Sequence, residues 1–229
     1  LLSKACRNEP FTEKEITDMN LERKNIVPLL ENYQVGPELD HQLVKPVAAG
    51  DAPPAPTKAS WAFFSFTPKA LSELKDVATK TLDASSKFVS TDDALSAFIW
   101  QSASRVRLAR LDGSTPTEFC RAVDMRPPMD VPSTYPGMLQ NMTYHDSTLS
   151  QIANESLGAT ASRLRSELDR DRLRRRTQGL ATYLHDHPDK SNVSLTADAN
   201  PSTSIMLSSW AKVGCWEYDF GFGLGKPES

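Results

Sequence analysis

Cysteine is scarce in this 229-residue chain, where Cys6, Cys120 and Cys215 are odd in number, far apart and without metal-ligand spacing. That excludes a disulfide framework and a zinc cluster, and predicts reduced thiols of an intracellular, cytoplasmic protein with no metal. No apolar run approaches the roughly 18 residues that span a bilayer, so no membrane helix is predicted. A basic excess is missing too: 26 Lys and Arg stand against 29 Asp and Glu, a formal charge of −3, which argues against a nucleic-acid partner. Neither a G-x-S-x-G elbow nor a Walker loop is present, and no internal repeat is visible. With no signal peptide in evidence, the sequons at Asn141, Asn154 and Asn192 read as incidental.

What is present suits a soluble globular chain, with 39% apolar and 24% charged residues and length enough for one or two domains with a sizeable core. Gly36-Pro37, Lys45-Pro46 and the prolines at 53, 54 and 56 exclude a helix and predict an extended connector, so a domain boundary falls near residue 57. Leu1 to Cys6 resembles the end of an amphipathic helix, closed by Glu9-Pro10, and a mixed polar stretch follows to Gln34. The chain opens on Leu1 rather than Met and stops four residues after Gly225, which leads us to expect a piece of a longer protein.

Strand and helix signals then mix, as in an α/β fold. Ala59 to Phe66 is short and aromatic-rich, which predicts a strand. Thr67 before Pro68 is an N-cap signal with Pro at the first helical position, and Leu71, Leu74, Ala78 and Leu82 form a helical stripe. Ser90 opens a second helix whose Leu95, Phe98, Ile99, Ser102 and Val106 are predicted to share the core face, with Trp100 packing beside them. Residues 148–184 read as one or two helices. Within them Arg170 to Arg176 carries five arginines against Asp171; a solvated face compensated by Glu167 and Asp169 is favoured over a phosphate site. His185 to Pro201 reads as a polar loop, and Ser204 to Trp210 as a strand.

The C-terminal stretch carries most information. Gly221, Gly223 and Gly225 alternate with Phe220 and Phe222 after Trp216 and Tyr218, so the backbone can bend or be approached closely between aromatic anchors. Asp219 is placed to accept from the freed backbone N–H groups or to pair with a distant arginine. Lys226 occupies the third-glycine position of a dinucleotide loop, and no helix can follow. The run Asp219-Phe220-Gly221-Phe222-Gly223 closely resembles the Asp-Phe-Gly-Trp-Gly signature of the BAHD acyltransferases, departing only at Phe222. Ser208-Ser209-Trp210 resembles the family's Ser/Thr-Ser-Trp element, and Ser90 to Arg107 its core helix. Val123-Asp124-Met125-Arg126 is similar to its Val-Asp-Gly-Arg element with Met125 replacing Gly, while Tyr135 to Asn141 loosens its Tyr-Phe-Gly-Asn spacing.

The resemblance implies a chloramphenicol-acetyltransferase-like two-domain fold. Residues 1–57 would close the N-terminal domain and form the crossover; residues 58–229 would be the C-terminal domain, truncated at its end. It implies CoA-dependent acyl transfer with acetyl-CoA as co-substrate, no bound cofactor and no metal, and the wider match implies acetylation of a secondary hydroxyl of a sesquiterpenoid toxin by a monomeric enzyme. The family's general base is the His of an HxxxD motif, expected upstream of Leu1. The literal match His185-Asp186-His187-Pro188-Asp189 is read as a decoy: it lies in the wrong half, and Pro188 in a polar loop removes the rigid setting a base requires. His41 and His145 each stand alone. Ser208, Ser209 and Trp210 are the candidate substrate or CoA contacts, with the serines either donating to the developing oxyanion or merely facing solvent at a strand edge. Asp124 and Arg126, like Asp219, Phe220, Gly221, Phe222 and Gly223, are read as scaffold, Asp219 through an arginine. Rival readings are a family member with another donor or acceptor, and a non-catalytic binding protein of the same fold.

Overall fold

The computed structural model describes residues 1–45, 60–84, 86–223 and 225–227; the prolines of the expected connector at 53, 54 and 56 lie outside them. The helices among these residues are α1 (Leu2–Cys6), α2 (Glu13–Met19), α3 (Pro68–Lys80), α4 (Thr91–Arg107), α5 (Leu149–Asn154), α6 (Leu157–Ser166) and α7 (Arg170–Asp186). The strands form a three-stranded sheet of order β2-β1-β3. Strand β1 (Pro116–Asp124) runs antiparallel to β2 (Gln140–Thr148), with Cys120 opposite Tyr144, and parallel to the short β3 (Ile205–Leu207), with Arg121 opposite Leu207.

Both sheet faces are covered, and the two-residue period of β1 sorts its side chains between them. Thr117, Phe119 and Arg121 face α4: the Trp100 indole donates to Thr117 Oγ1 at 3.0 Å, and its ring lies 5.6 Å from that of Phe119. Trp100, Phe119, Ile152 and Leu164 anchor this core, with Ala78 of α3. Cys120 packs on the opposite face with Met142 and Tyr144. There residues 37–45 and α7 close over it, Gln42 donating to Asn141 at 2.6 Å and Asn141 to Thr177 at 2.9 Å. A sequon asparagine buried in this way is unavailable to modification in the folded protein.

Helix starts follow their local signals. Thr67 Oγ1 accepts from Ala70 N ahead of Pro68, and Ser90 and Asp93 exchange the two bonds of a capping box. Another such box, Thr12 with Glu15, starts α2 inside the stretch read only as polar. Ser156 and Asp169 cap α6 and α7, dividing residues 149–186 into three helices rather than one or two. Gly158 lets α6 meet the end of α3 closely, because a side chain there would collide with the Ala78 and Thr81 backbone.

Two further expectations fail. Residues 60–66 form no strand, and Trp61, Phe63 and Phe64 stand exposed without the ladder that a strand requires. On α4 the inward face is Asp93, Ala97, Trp100, Gln101 and Ser104, while Val106 is 72% exposed and Phe98 packs at the surface, its ring edge-on to Phe66 at 6.2 Å. Polar partners decide the matter. Asp93 and Gln101 turn inward because Arg121 and Thr160 meet them there.

Candidate functional site

Because β1 and β3 are parallel and β2 antiparallel, the ends of β1 and β3 and the start of β2 share one edge of the sheet. A cavity of about 580 Å³ opens at that edge. Its walls include Asp124 at the end of β1 and Arg126 beyond it, Met138 and Leu139 before β2, and Ser208, Ser209 and Trp210 beyond β3. Two elements far apart in sequence are thereby brought together. The Arg126 guanidinium donates to Asp124 Oδ1 at 2.9 Å and to the carbonyls of Tyr135 at 3.1 Å and Gly137 at 2.9 Å. That fork ties the 135–137 loop, whose Pro136 and Gly137 line the cavity, to the end of β1, on the looser spacing noted in the sequence.

Both serines are exposed, and each also has a protein partner. Ser208 Oγ accepts from the Trp210 indole at 3.2 Å, and Ser209 Oγ donates to Asp92 Oδ1 at 2.8 Å. Behind Asp92 lies a buried ionic network: Arg121 contacts Asp92 at 3.5 Å and Asp93 at 2.7 Å, and donates to the Leu164 carbonyl at 2.8 Å. Burial works to raise the Asp93 carboxyl, but Arg121 and the Ser90 backbone N–H and hydroxyl outweigh it and hold the group below the usual carboxylate range.

The glycine loop lies elsewhere, and residues 219–223 do not line the cavity. Asp219 Oδ1 accepts from Gly221 N at 2.8 Å, while its carbonyl accepts from Ser3 Oγ at 2.5 Å and from Arg7. The arginine partner therefore exists, but it binds the main chain rather than the carboxylate. Gly221 and Gly223 have φ of 79° and 72°, so their freedom is used; Phe222 between them shares this left-handed conformation at 59°. The flanking aromatics are not packed as expected, since Trp216, Tyr218 and Phe222 are exposed.

His185 lies apart from the cavity. It ends α7 rather than starting a loop, is exposed, and lies 2.8 Å from Asp186; Asp189 instead accepts from Ser191 N at 2.9 Å. Neither lines the cavity. His145 is a core residue beside Thr143 at 3.0 Å, its pKa pushed down to about 3 by burial and then by nearby cations.

His41 does not stand alone. Its Nδ1 lies 3.0 Å from Glu118 and 3.1 Å from Asp198, its Nε2 lies 3.3 Å from Asp146, and its ring stacks on Tyr144 at 4.6 Å. One atom each from His41, Glu118 and Asp146 fall within 4.8 Å of one another, a spacing that can hold a metal ion. The Asp146 and then the Glu118 carboxylates beside the ring raise its pKa to about 10, so at neutral pH the imidazolium is itself the cation of the cluster. Four segments build this group, and no local motif announces it.

The arginine run also divides. Arg170 and Arg174 pair with Asp130 and Arg172 with Glu167, as a compensated surface requires. Arg176 is buried, donating to the carbonyls of Met142 at 3.0 Å and Glu38 at 3.2 Å, with its guanidinium over the Tyr144 ring. No helix among the described residues is long and apolar enough to cross a membrane. Cys6 and Cys120 are free, and burial raises the Cys120 thiol.

A family model described as Transferase family matches residues 11–227. The chain is 86% identical over 229 residues to trichothecene 3-O-acetyltransferase TRI101 of Fusarium sporotrichioides, covering all of this chain and 50% of that protein. It is 50% identical over 234 residues to an O-acetyltransferase of a Cryptosporiopsis species, covering all of this chain and 51% of the other. The crystal structure of F. graminearum TRI101 complexed with coenzyme A and T-2 mycotoxin superposes with a TM-score of 0.92 at 75% identity, over 99% of this chain and 50% of that one. The chain thus spans about half the length of these relatives.

Proposed function

The chain belongs to the Transferase family, that of the BAHD acyltransferases, and on that premise we propose that it forms the second half of a CoA-dependent O-acetyltransferase that moves acetyl from acetyl-CoA to the C3 hydroxyl of a trichothecene. The observation that carries this reading is the 86% identity over all 229 residues, a span that includes the segments lining the cavity. Residues 1–57 then close the first domain and cross over, and residues 58–229 form the second domain of a monomeric cytoplasmic enzyme.

In the transfer, the acceptor oxygen attacks the thioester carbonyl, a C–O bond forms, the C–S bond breaks, and the CoA thiolate leaves, taking up the proton that the base has gained. The hydroxyl proton passes to a general base, which we assign to a histidine outside these 229 residues because the cavity walls contribute none. Ser208 contributes the opposite polarity. Its oxygen already accepts from Trp210, so its own proton is free for the developing oxyanion. Donors of this kind are worth about 10²- to 10³-fold in rate. Arg126 contributes by holding the Tyr135 and Gly137 carbonyls of a loop that lines the cavity.

The test is acetyl transfer by the longer protein, using acetyl-CoA and a trichothecene with a free 3-hydroxyl, beside the same acceptor already blocked at C3. Transfer only to the free hydroxyl is expected. These 229 residues alone should not turn over; acetylation at a rate comparable to the longer protein would place the base within them and overturn the assignment.

A further inference from the structure

The two cavity serines are adjacent in sequence yet differ in what holds them. An ionised carboxylate accepts and cannot donate, so the 2.8 Å bond between Ser209 and Asp92 must use the single Ser209 proton. What Ser209 then offers the cavity is lone pairs. Ser208 is the reverse, because the indole N–H fills one of its acceptor sites at 3.2 Å and leaves its proton unspent. One wall therefore presents a donor and an acceptor side by side.

The polarity of Ser209 is set from the core. Asp92 and Asp93 occupy successive positions in the first turn of α4, about 100° apart around the axis, so one turns inward and the other toward the cavity loop. Asp93 is 1% exposed and holds Arg121, itself only 4% exposed, whose guanidinium also lies 3.5 Å from Asp92. Arg121 is fixed again by the Leu164 carbonyl. Asp92 is thus braced from behind by a group that cannot move without unpairing a buried charge.

We propose that Asp92 is a positioning residue of this cavity, orienting Ser209 as a hydrogen-bond acceptor for the amide N–H nearest the thioester in the pantetheine arm of the acyl donor. The inference rests on the acetyl-transfer reading above. A thioester donor has few N–H groups, and the amide beside the sulfur is the one that an acceptor near the reacting carbonyl meets. Were Ser209 free to rotate, its proton would oppose that N–H in part of the population, and donor binding would weaken with little change in the chemical step.

The experiment measures kcat and KM for acetyl-CoA in the longer protein carrying Asp92→Ala, Asp92→Asn, Ser209→Ala and the Asp92→Ala/Ser209→Ala pair. A charge-assisted hydrogen bond is worth about a tenfold change in equilibrium constant, so Asp92→Ala and Ser209→Ala should each raise KM about tenfold and leave kcat within about twofold. The pair should be no worse than either single change, and Asp92→Asn, which keeps an acceptor, should restore most of the loss. An unchanged KM in Asp92→Ala overturns the proposal. So do additive effects in the pair, or an Asp92→Asn variant as impaired as Asp92→Ala, which would make the charge at the helix start the relevant feature. A wild type that transfers no acetyl removes the parent reading and this one together; an active wild type with a normal Asp92→Ala variant removes this one alone.

Discussion

Replacing Asp93 by Asn changes one charge and almost no volume at the most constrained point of the fold. The native carboxylate accepts from Arg121 through one oxygen at 2.7 Å, and from Ser90 N and Oγ through the other at 2.8 and 2.7 Å. An amide has one accepting oxygen, so whichever way the substituted side chain turns, its NH₂ faces a donor. If the oxygen stays with Ser90, the 4%-exposed Arg121 loses its main counter-charge; if it turns to Arg121, the capping box is lost. Breaking a buried pair costs about 3–5 kcal/mol, and Asp92 at 3.5 Å remains as a partial substitute, so about 3 kcal/mol is expected. In a protein of this size that corresponds to a fall of roughly 6–12 °C in Tm. Urea and thermal unfolding followed by near-ultraviolet circular dichroism, which reports on Trp100, would read it. Arg121→Met should cost a similar amount, and the double variant no more than either single one. A loss under about 1 kcal/mol for Asp93→Asn would refute the claim that this pair braces the cavity loop.

Other consequences are independent of that network. His41 has its folded pKa raised from 6.5 to about 10, so its contribution is complete below about pH 6.5 and is lost as pH rises through about 10. With the ring 21% exposed, screening reduces this to about 2 kcal/mol, and the Tm difference between wild type and His41→Gln should shrink from pH 6.5 to pH 10; a constant difference would contradict the imidazolium assignment. His185→Ala in the longer protein should leave kcat within a few-fold of wild type, whereas a thousandfold loss would restore the motif as catalytic. Asp219→Asn keeps an acceptor for Gly221 N and leaves the Arg7 contact with the carbonyl intact, so a stability change under about 1 kcal/mol is expected in urea unfolding. A cost of 3 kcal/mol or more would show that Arg7 depends on the carboxylate after all.

Local chemistry is legible in the sequence. Thr67-Pro68 and Ser90 mark the starts of α3 and α4, and Ser208-Ser209-Trp210, singled out by the resemblance, lines the cavity. The Thr12–Glu15 box carries the same kind of signal, hidden because the residues around it are polar. What periodicity does not supply is the inward face of α4. Asp93 finds Arg121 28 residues away and Gln101 finds Thr160 59 residues away, so polar side chains take positions that an apolar stripe would claim. Residues 60–66 show the same limit: aromatic content suits a strand, but a strand also needs a neighbouring ladder. The His41 cluster and the Asp92–Ser209 bond, spanning 117 residues, exist only once the sheet has formed.

The central claim is that the edge of the sheet where β1 and β3 end is one wall of the acyl-donor site. Hydrogen–deuterium exchange of the longer protein with and without coenzyme A tests it directly, because it reports where the ligand protects the backbone. The account predicts slowed exchange at residues 122–126, 137–140 and 207–210, with little change around His41 and Asp198. Protection confined to the His41 cluster or to the 219–223 loop, with the cavity segments unaffected, would contradict it.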